Sequence, residues 1–287
     1  MTARAEVIAL FGPTGVGKTA VAIALAERLR ERSDDPVAIS ADALQVYEGL
    51  ETLTGAATAD ERARLEHRLL SFVPVTETFS VGEFMPLAHA EIDAALDAGR
   101  RPIVVGGTGL YLRAALTDLS LKPPPPAGLR ERLERQLAAR GPAELHARLA
   151  EIAPGVAETI EPADRSRIVR ALELAELGEL DEEPPKESQL WTEETRRPTL
   201  LVGLVLEREE LYETIDRRVD AMVGAGAADE VKRAHAAGAS RTARAALGFQ
   251  ELLDGDVEAM KRRTRNYAKR QLTWMRKLAG VHVIDVT

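Results

Sequence analysis

An apolar run, Val7-Ile8-Ala9-Leu10-Phe11, meets Gly12-Pro13-Thr14-Gly15-Val16-Gly17-Lys18-Thr19, and a segment rich in Ala, Leu and Ile follows to about Arg30. This order constrains the chain more than any other feature. The apolar run predicts a buried strand and the Ala/Leu segment a helix. The G-x-x-x-x-G-K-T spacing between them is that of a phosphate-binding loop. Its glycines let successive amides turn inward around an anion. The helix N-terminus adds unpaired N–H donors and a partial positive charge. Gly12, Thr14, Gly15, Val16 and Gly17 then cradle the phosphates, Lys18 brings a full charge to them, and the Thr19 hydroxyl is placed to hold Mg²⁺. Such a loop specifies a phosphate and leaves the reaction open.

Strands and helices alternate beyond it. Pro36–Ala41 reads as a second strand ending at Asp42, and Ser80–Leu96 as a helix with Phe84, Leu87, Ala88, Ile92 and Leu96 on one face. Arg101–Val105 is a third strand, running into Gly106-Gly107-Thr108-Gly109. This alternation predicts an α/β fold, a P-loop core with a parallel sheet flanked by helices. The pattern breaks at Lys122-Pro123-Pro124-Pro125-Pro126, a stiff linker. From Ala127 to about Gly178 every segment reads helical, and Leu180 to Glu187 reads as an acidic loop with two prolines. The glutamates between Glu173 and Glu194 read as a solvated face. A strand at Thr199–Leu206 resumes the first pattern. A helix carrying Leu211, Ile215, Val219 and Met222, another over Val257–Leu278 and a last strand at Val281–Asp285 complete it. The expected organisation is a core at 1–121 and 198–287 around an all-helical insertion at 122–197.

Composition limits the chemistry. With no cysteine among 287 residues there is no disulfide, thiolate zinc site or Cys nucleophile. No apolar run approaches membrane length, and the stretch Met1 to Glu6 lacks a signal-peptide core, so a soluble, cytoplasmic, monomeric protein is expected. The net charge of −8 disfavours a polyanionic partner. The stretch 261–277, however, holds eight Lys/Arg and no acid, with Tyr267 and Trp274 between them. That pattern fits a surface facing nucleic acid. Arg130, Arg132 and Arg135, and Arg165, Arg167 and Arg170, form weaker groups inside the insertion.

A GTPase or ATPase of this class needs a second acid at a strand end. The strand ending at Val105 supplies none, and neither D-x-x-G nor N-K-x-D occurs. Asp42 is the carboxylate at a strand end near the loop. Carboxyl ends of adjacent strands line one crevice, so Asp42 and Thr108 should face the loop together. Three readings of Asp42 stand open: an outer Mg²⁺ ligand, a general base toward a second substrate, or a helix N-cap.

Taken in order, several segments resemble the tRNA dimethylallyltransferases, over nearly the whole chain. They are the loop at 12–19, Ser40-Ala41-Asp42-Ala43-Leu44-Gln45-Val46-Tyr47, Phe79-Ser80-Val81-Gly82-Glu83-Phe84, Val105-Gly106-Gly107-Thr108-Gly109-Leu110-Tyr111-Leu112, Arg167-Ile168-Val169-Arg170-Ala171-Leu172-Glu173 and Tyr267-Ala268-Lys269-Arg270-Gln271-Leu272-Thr273-Trp274-Met275-Arg276. The loop alone is generic; D-x-x-Q-V-Y, G-G-T-G-L-Y and A-K-R-Q-x-T-W-x-R together are specific. The resemblance implies transfer of a dimethylallyl group from its diphosphate to N6 of adenine 37, beside the anticodon in the tRNA stem-loop. The loop would then hold diphosphate, with Lys18, Thr19-bound Mg²⁺ and Arg218 stabilising the leaving group. Asp42 matches the family's general base, and Thr108 a contact to the target nucleotide. Asp42, Ala43, Leu44, Gln45, Thr108, Arg130, Arg167, Arg170, Arg244, Gly248, Lys269 and Arg270 match its RNA-facing positions.

The chain departs from the pattern in places. Asp42-Ala43 replaces Asp-Ser, Ala56 stands where the family has lysine, His67-Arg68 replaces paired histidines, and Ala245 replaces a basic or amide residue, with Arg244 one position earlier. These changes bear on RNA affinity more than on the chemistry. Competing readings are a P-loop kinase of small molecules, a prenyltransferase of free adenine nucleotides, and a non-catalytic RNA-binding protein.

Overall fold

The computed structural model describes residues 5–126, 128–181 and 189–287. Six strands, β1 (Val7–Phe11), β2 (Pro36–Ser40), β3 (His67–Arg68), β4 (Arg101–Gly106), β5 (Thr199–Val205) and β6 (His282–Asp285), form one sheet in the order β3-β2-β4-β1-β5-β6. Every pair is parallel. The helices of the core are α1 (Lys18–Arg30), α2 (Glu51–Thr54), α3 (Ala59–Arg64), α4 (Val81–Asp97) and α5 (Gly109–Leu116). After α6 (Leu129–Arg140), α7 (Pro142–Ile152), α8 (Pro154–Glu158) and α9 (Arg165–Leu177), the core resumes with α10 (Arg208–Gly224), α11 (Ala227–Ala236), α12 (Phe249–Leu253) and α13 (Val257–Met275).

Parallel strands covered on both faces read as continuous apolar runs, and all five residues of β2 are buried. Helix α4 starts where Ser80 and Glu83 form a reciprocal capping box. Its buried stripe is Phe84, Ala88, Ile92 and Ala95. Leu87, expected on that face, is 40% exposed, because a step of three residues carries it past the edge of the stripe. Strand β3 has no counterpart in the sequence reading. Two residues at a sheet edge, paired to Ala38 and Ile39, are too short to show any periodicity.

The chain divides into two compact units, 1–119 with 190–287, and 120–189. The insertion expected over 122–197 thus meets a different boundary at its end. Residues 190–197 pack on the core: Trp191 lies against Trp274, Arg113 donates to Thr192 and to the Glu194 carbonyl, and Arg196 and Arg197 both reach Asp93. The acidic loop expected at 180–187 falls, from 182 on, outside the described residues.

Among its described residues, the regular elements of the smaller unit are all helices, packed around Leu133, Leu145, Leu149, Ile168 and Leu172. One of the glutamates expected to be solvated is instead at its centre. Glu173 is 0% exposed and accepts from both Arg130 and Arg170. Helical spacing puts it on the stripe that faces α6, where the arginine partners offset the cost of burying a carboxylate. Removing Arg130 takes two hydrogen bonds from Glu173 and leaves the one from Arg170. Arg130→Met should destabilise the unit by about 2 kcal/mol, below the usual value for a fully buried pair because Arg170 remains and Arg130 is partly exposed. Arg132→Met, at the exposed pair with Glu176, should leave stability nearly unchanged. Denaturant unfolding of the two variants checks the order.

Candidate active site

Three turns converge at the carboxyl ends of the central strands. The phosphate loop leaves β1, Asp42 follows β2, and Gly107-Thr108 follows β4. The phosphate loop and Asp42 line a cleft of about 860 Å³ that also takes in Arg218 of α10 and Tyr267 and Gln271 of α13; Gly107 and Thr108 do not line it but are hydrogen-bonded to Gln271 and Tyr267. The loop has the conformation its glycines permit. Gly15 and Gly17 both have φ of +88°, and an added Cβ at Gly15 would stand 2.8 Å from Ile215 Cγ1.

Not every loop amide is available to an anion. Thr14 N–H donates to Gln271 Oε1 at 2.8 Å, and Val16 N–H to the Pro13 carbonyl at 3.4 Å. Among the described residues, the amides of Gly15, Gly17, Lys18 and Thr19 have no such partner, the last two because the first turn of a helix leaves its N–H groups unpaired. Lys18 Nζ curls back onto the carbonyls of Gly12 and Pro13, each at 2.9 Å. Burial and the neighbouring Arg218 lower its pKa to about 8, against an upward pull from Asp42. Burial likewise lowers the pKa of Arg218. Two desolvated cations facing one cleft are a strained arrangement that a bound anion relieves.

Asp42 lines the cleft, and Leu44 N–H donates to its Oδ1 at 2.9 Å. This is a side-chain turn of the kind aspartate favours. A turn follows Asp42, and the next helix begins only at Glu51, so the helix-cap reading of this residue falls away. Gln45 is tied down by Ser40 Oγ at 3.1 Å and donates to the Gly55 carbonyl at 3.2 Å. Thr108 Oγ1 lies 3.2 Å from the Tyr267 hydroxyl. Burial, with the negative charge of Asp42, pushes that phenol up to about 12, so it is a neutral hydrogen-bonding group. Beside these polar groups the cleft has an apolar wall that includes Ala56, Met222, Leu247 and Met260.

The IPP transferase family matches residues 45–278, and the isopentenyl transferase family matches residues 5–81. Over 96% of its length the chain is 41% identical to the tRNA dimethylallyltransferase of Thermobifida fusca, 88% of which is covered. The chain belongs to the tRNA dimethylallyltransferase family. Solved structures agree. The tRNA isopentenylpyrophosphate transferase of Bacillus halodurans matches with a TM-score of 0.69 at 35% identity, covering 98% of this chain and 90% of that one. A eukaryotic dimethylallyltransferase captured acting on tRNA matches with 0.72 at 25% identity, over 99% and 74% of the two chains.

The residues expected in this dimethylallyltransferase site do not all meet. The cleft gathers the phosphate loop, Arg218, Asp42, Leu44 and Gln45. Arg270 stacks over the Tyr267 ring, 5.6 Å from its centroid. Lys269 instead faces Tyr212 and lines a separate recess with Arg208 and Arg276. Arg244 Nε donates to the Ala239 carbonyl at 2.8 Å, and its guanidinium lies over Phe249. Gly248 adopts φ of +92° at the start of α12, where a Cβ would meet Met260 at 2.6 Å. Arg130, Arg167 and Arg170 belong to the smaller unit.

The uniformly basic stretch 261–277 also looks different in three dimensions. Lys261 pairs with Asp220 and Glu258, Arg263 with Glu251, and Arg265 with Asp216. The first half of α13 is thus neutralised by acids from α10, from α12 and from its own first turn, and among the described residues its cations without an ion pair lie toward its end. Sequence reasoning missed Tyr267, Gln271 and Arg62, all of which line the cleft. The first two lie four residues apart inside a quoted motif, and that spacing on a helix was the available signal.

The donor set suits magnesium. Among the described residues no cluster of three His, Asp or Glu could cage a metal. Mg²⁺ ordinarily binds substrate phosphates through one or two protein oxygens and keeps several waters. Thr19 and Asp42, both lining the cleft, are oxygens of that kind.

The lowered pKa of Lys18 sets a pH dependence. In the empty protein this amine loses its proton as pH rises through about 8. A bound diphosphate favours the charged form and restores a higher pKa, so binding takes up a proton above that pH. Affinity for dimethylallyl diphosphate should be greatest below pH 8 and fall by up to about tenfold per unit from there toward pH 10. Calorimetry in buffers of different ionisation enthalpy should show the proton uptake, and Lys18→Arg should abolish it.

Proposed function

We propose that this chain transfers the dimethylallyl group of dimethylallyl diphosphate to N6 of adenosine 37, beside the anticodon in the stem-loop of tRNA, and releases diphosphate. The observation that carries this reading is one cleft in which an anion cradle with two desolvated cations, a turn-held carboxylate and an apolar wall are all present. An allylic diphosphate has both an anionic and an apolar end, which such a cleft suits.

The donor diphosphate binds the amides of Gly15, Gly17, Lys18 and Thr19, with Gly12, Thr14 and Val16 shaping the loop around it. Lys18 and Arg218 stabilise the negative charge as the allylic C–O bond breaks and its electron pair leaves with the diphosphate. Thr19 would help to hold Mg²⁺, which would supply further neutralisation of that charge. The N6 lone pair forms the new bond to the allylic carbon. Asp42 accepts the proton that N6 gives up, its orientation maintained by Leu44 N–H. Thr108, held by Tyr267, contacts the target nucleotide, which must leave its stack to enter the cleft. Ala43, Leu44, Gln45, Arg244, Gly248, Lys269 and Arg270 in the core, and Arg130, Arg167 and Arg170 in the helical unit, form the RNA-facing set. In that unit Arg167 is the most exposed of the three. We take the enzyme to be cytoplasmic and monomeric; among the described residues no helix is long and apolar enough to cross a membrane.

Asp42→Asn keeps the shape and cannot accept the proton. It should lower kcat by about 10² to 10⁴-fold and change the affinities for tRNA and donor by no more than severalfold. If Asp42 serves the metal instead, donor affinity falls and raised Mg²⁺ restores it. Measuring kcat and both affinities at two Mg²⁺ concentrations decides between the roles.

Salt dependence tests the RNA surface. Each phosphate neutralised contributes about 0.7 to 0.9 to the slope of log affinity against log salt. Arg270→Ala should reduce the slope by about that amount. Arg263→Ala, at a residue already paired with Glu251, should leave it unchanged.

A further inference from the structure

Gln271 lies on α13, is only 4% exposed, and uses both ends of its amide. Oε1 accepts from Thr14 N–H of the phosphate loop at 2.8 Å, and Nε2 donates to the Gly107 carbonyl at 2.7 Å. One partner can only donate and the other can only accept, so the amide has a single satisfactory orientation. Two backbone segments that leave different strands are therefore joined through one side chain.

The neighbours of Gln271 on the same helical stripe hold the same turn. Four residues earlier, the Tyr267 hydroxyl meets Thr108. Three residues later, the Trp274 ring packs so closely on Gly109 that an added Cβ would stand 2.1 Å from it. Gly107 is hemmed in equally, since a Cβ there would lie 2.3 Å from Gln271 Nε2 and 3.2 Å from Lys18 Nζ. One face of α13 thus grips Gly107, Thr108 and Gly109, and only Gln271 among the three gripping residues also holds the phosphate loop by a hydrogen bond.

We propose that Gln271 is a positioning residue that registers the phosphate loop against the turn carrying Thr108, and so aligns the donor with the acceptor base. This rests on the functional reading above. Gln271 does not bind diphosphate itself; it occupies the Thr14 amide and leaves the later amides of the loop to the anion. Misplacing reactants by about 1 Å can cost on the order of 10²-fold in rate with little change in binding. The register between donor and acceptor is the quantity that Gln271 controls.

Gln271→Met tests this, because it keeps the volume and removes both hydrogen bonds. Four quantities are needed: the thermal midpoint, the affinity for inorganic diphosphate, the affinity for tRNA, and kcat. We expect kcat to fall by about 30- to 100-fold, both affinities to stay within about threefold, and the protein to remain folded. A kcat within threefold of the parent overturns the proposal. So does a loss of diphosphate affinity equal to the loss of kcat, which would make Gln271 a binding residue. Combining Gln271→Met with Tyr267→Phe should give less than the product of the separate kcat losses, since both release one turn, and fully multiplicative losses also overturn it. If Gln271→Met does not fold, Gln271→Glu, which keeps an acceptor for Thr14 N–H and cannot donate to Gly107, must lower kcat far more than tRNA affinity; equal losses overturn the proposal. A parent protein that transfers no prenyl group to tRNA removes both the functional reading and this inference, whereas an active parent with an unaffected Gln271→Met variant removes the inference alone.

Discussion

The parallel pairing of β1 with β4 on one side and β5 on the other is the constraint on which the site depends. Its register sets Phe11 beside Gly106 and also beside Gly203, so the loop that begins at Gly12 emerges next to the turn that begins at Gly107. Strand β2 joins on the far side of β4, bringing Ala41 and Asp42 to the same edge. The three backbones are crowded there: a Cβ on Gly106 would lie 2.4 Å from the Ala41 carbonyl oxygen. Glycine at that position follows from the approach of two chains, with no unusual backbone angle involved.

Charge in the cleft is balanced by distance and burial more than by pairing. Lys18 and Arg218 each bear the cost of desolvation, and Asp42 offsets part of it for both. No acid forms an ion pair with either among the described residues, which leaves them for an anionic ligand. Elsewhere the protein pairs its cations closely, as at Glu173 with Arg130 and Arg170, or at Asp93 with Arg196 and Arg197. Lys18 and Arg218 differ from those arginines in being desolvated without an ion-pair partner among the described residues.

Helix α13 serves three purposes. Met260, Ala268 and Met275 bury its apolar side. Its first half is neutralised by acids at a distance in sequence, and Tyr267, Gln271 and Trp274 form a stripe against the turn after β4. A run of like charges in sequence looked like one basic surface; folding divides it among faces with different neighbours. The same holds in the smaller unit, where Glu173 and Glu176 sit one turn apart on α9, one buried and one partly exposed.

What the sequence determined by itself is what depends on neighbours along the chain. The strand, glycine turn and helix of the phosphate loop are contiguous, so their spacing alone specified an anion site, and alternating periodicity specified the parallel sheet. Asp42 was legible too, because strand ends in such a sheet share one edge. The tertiary structure decided the rest: β3 at the sheet edge, the return of residues 190–197 to the core, the neutralisation of Lys261 and Arg263, and the contacts of Gln271 with Thr14 and Gly107. These pairs lie as much as 257 residues apart in the chain. Hydrogen bonds and ion pairs act over a few ångströms and carry no periodicity that a linear sequence records, so only the fold could bring them into view.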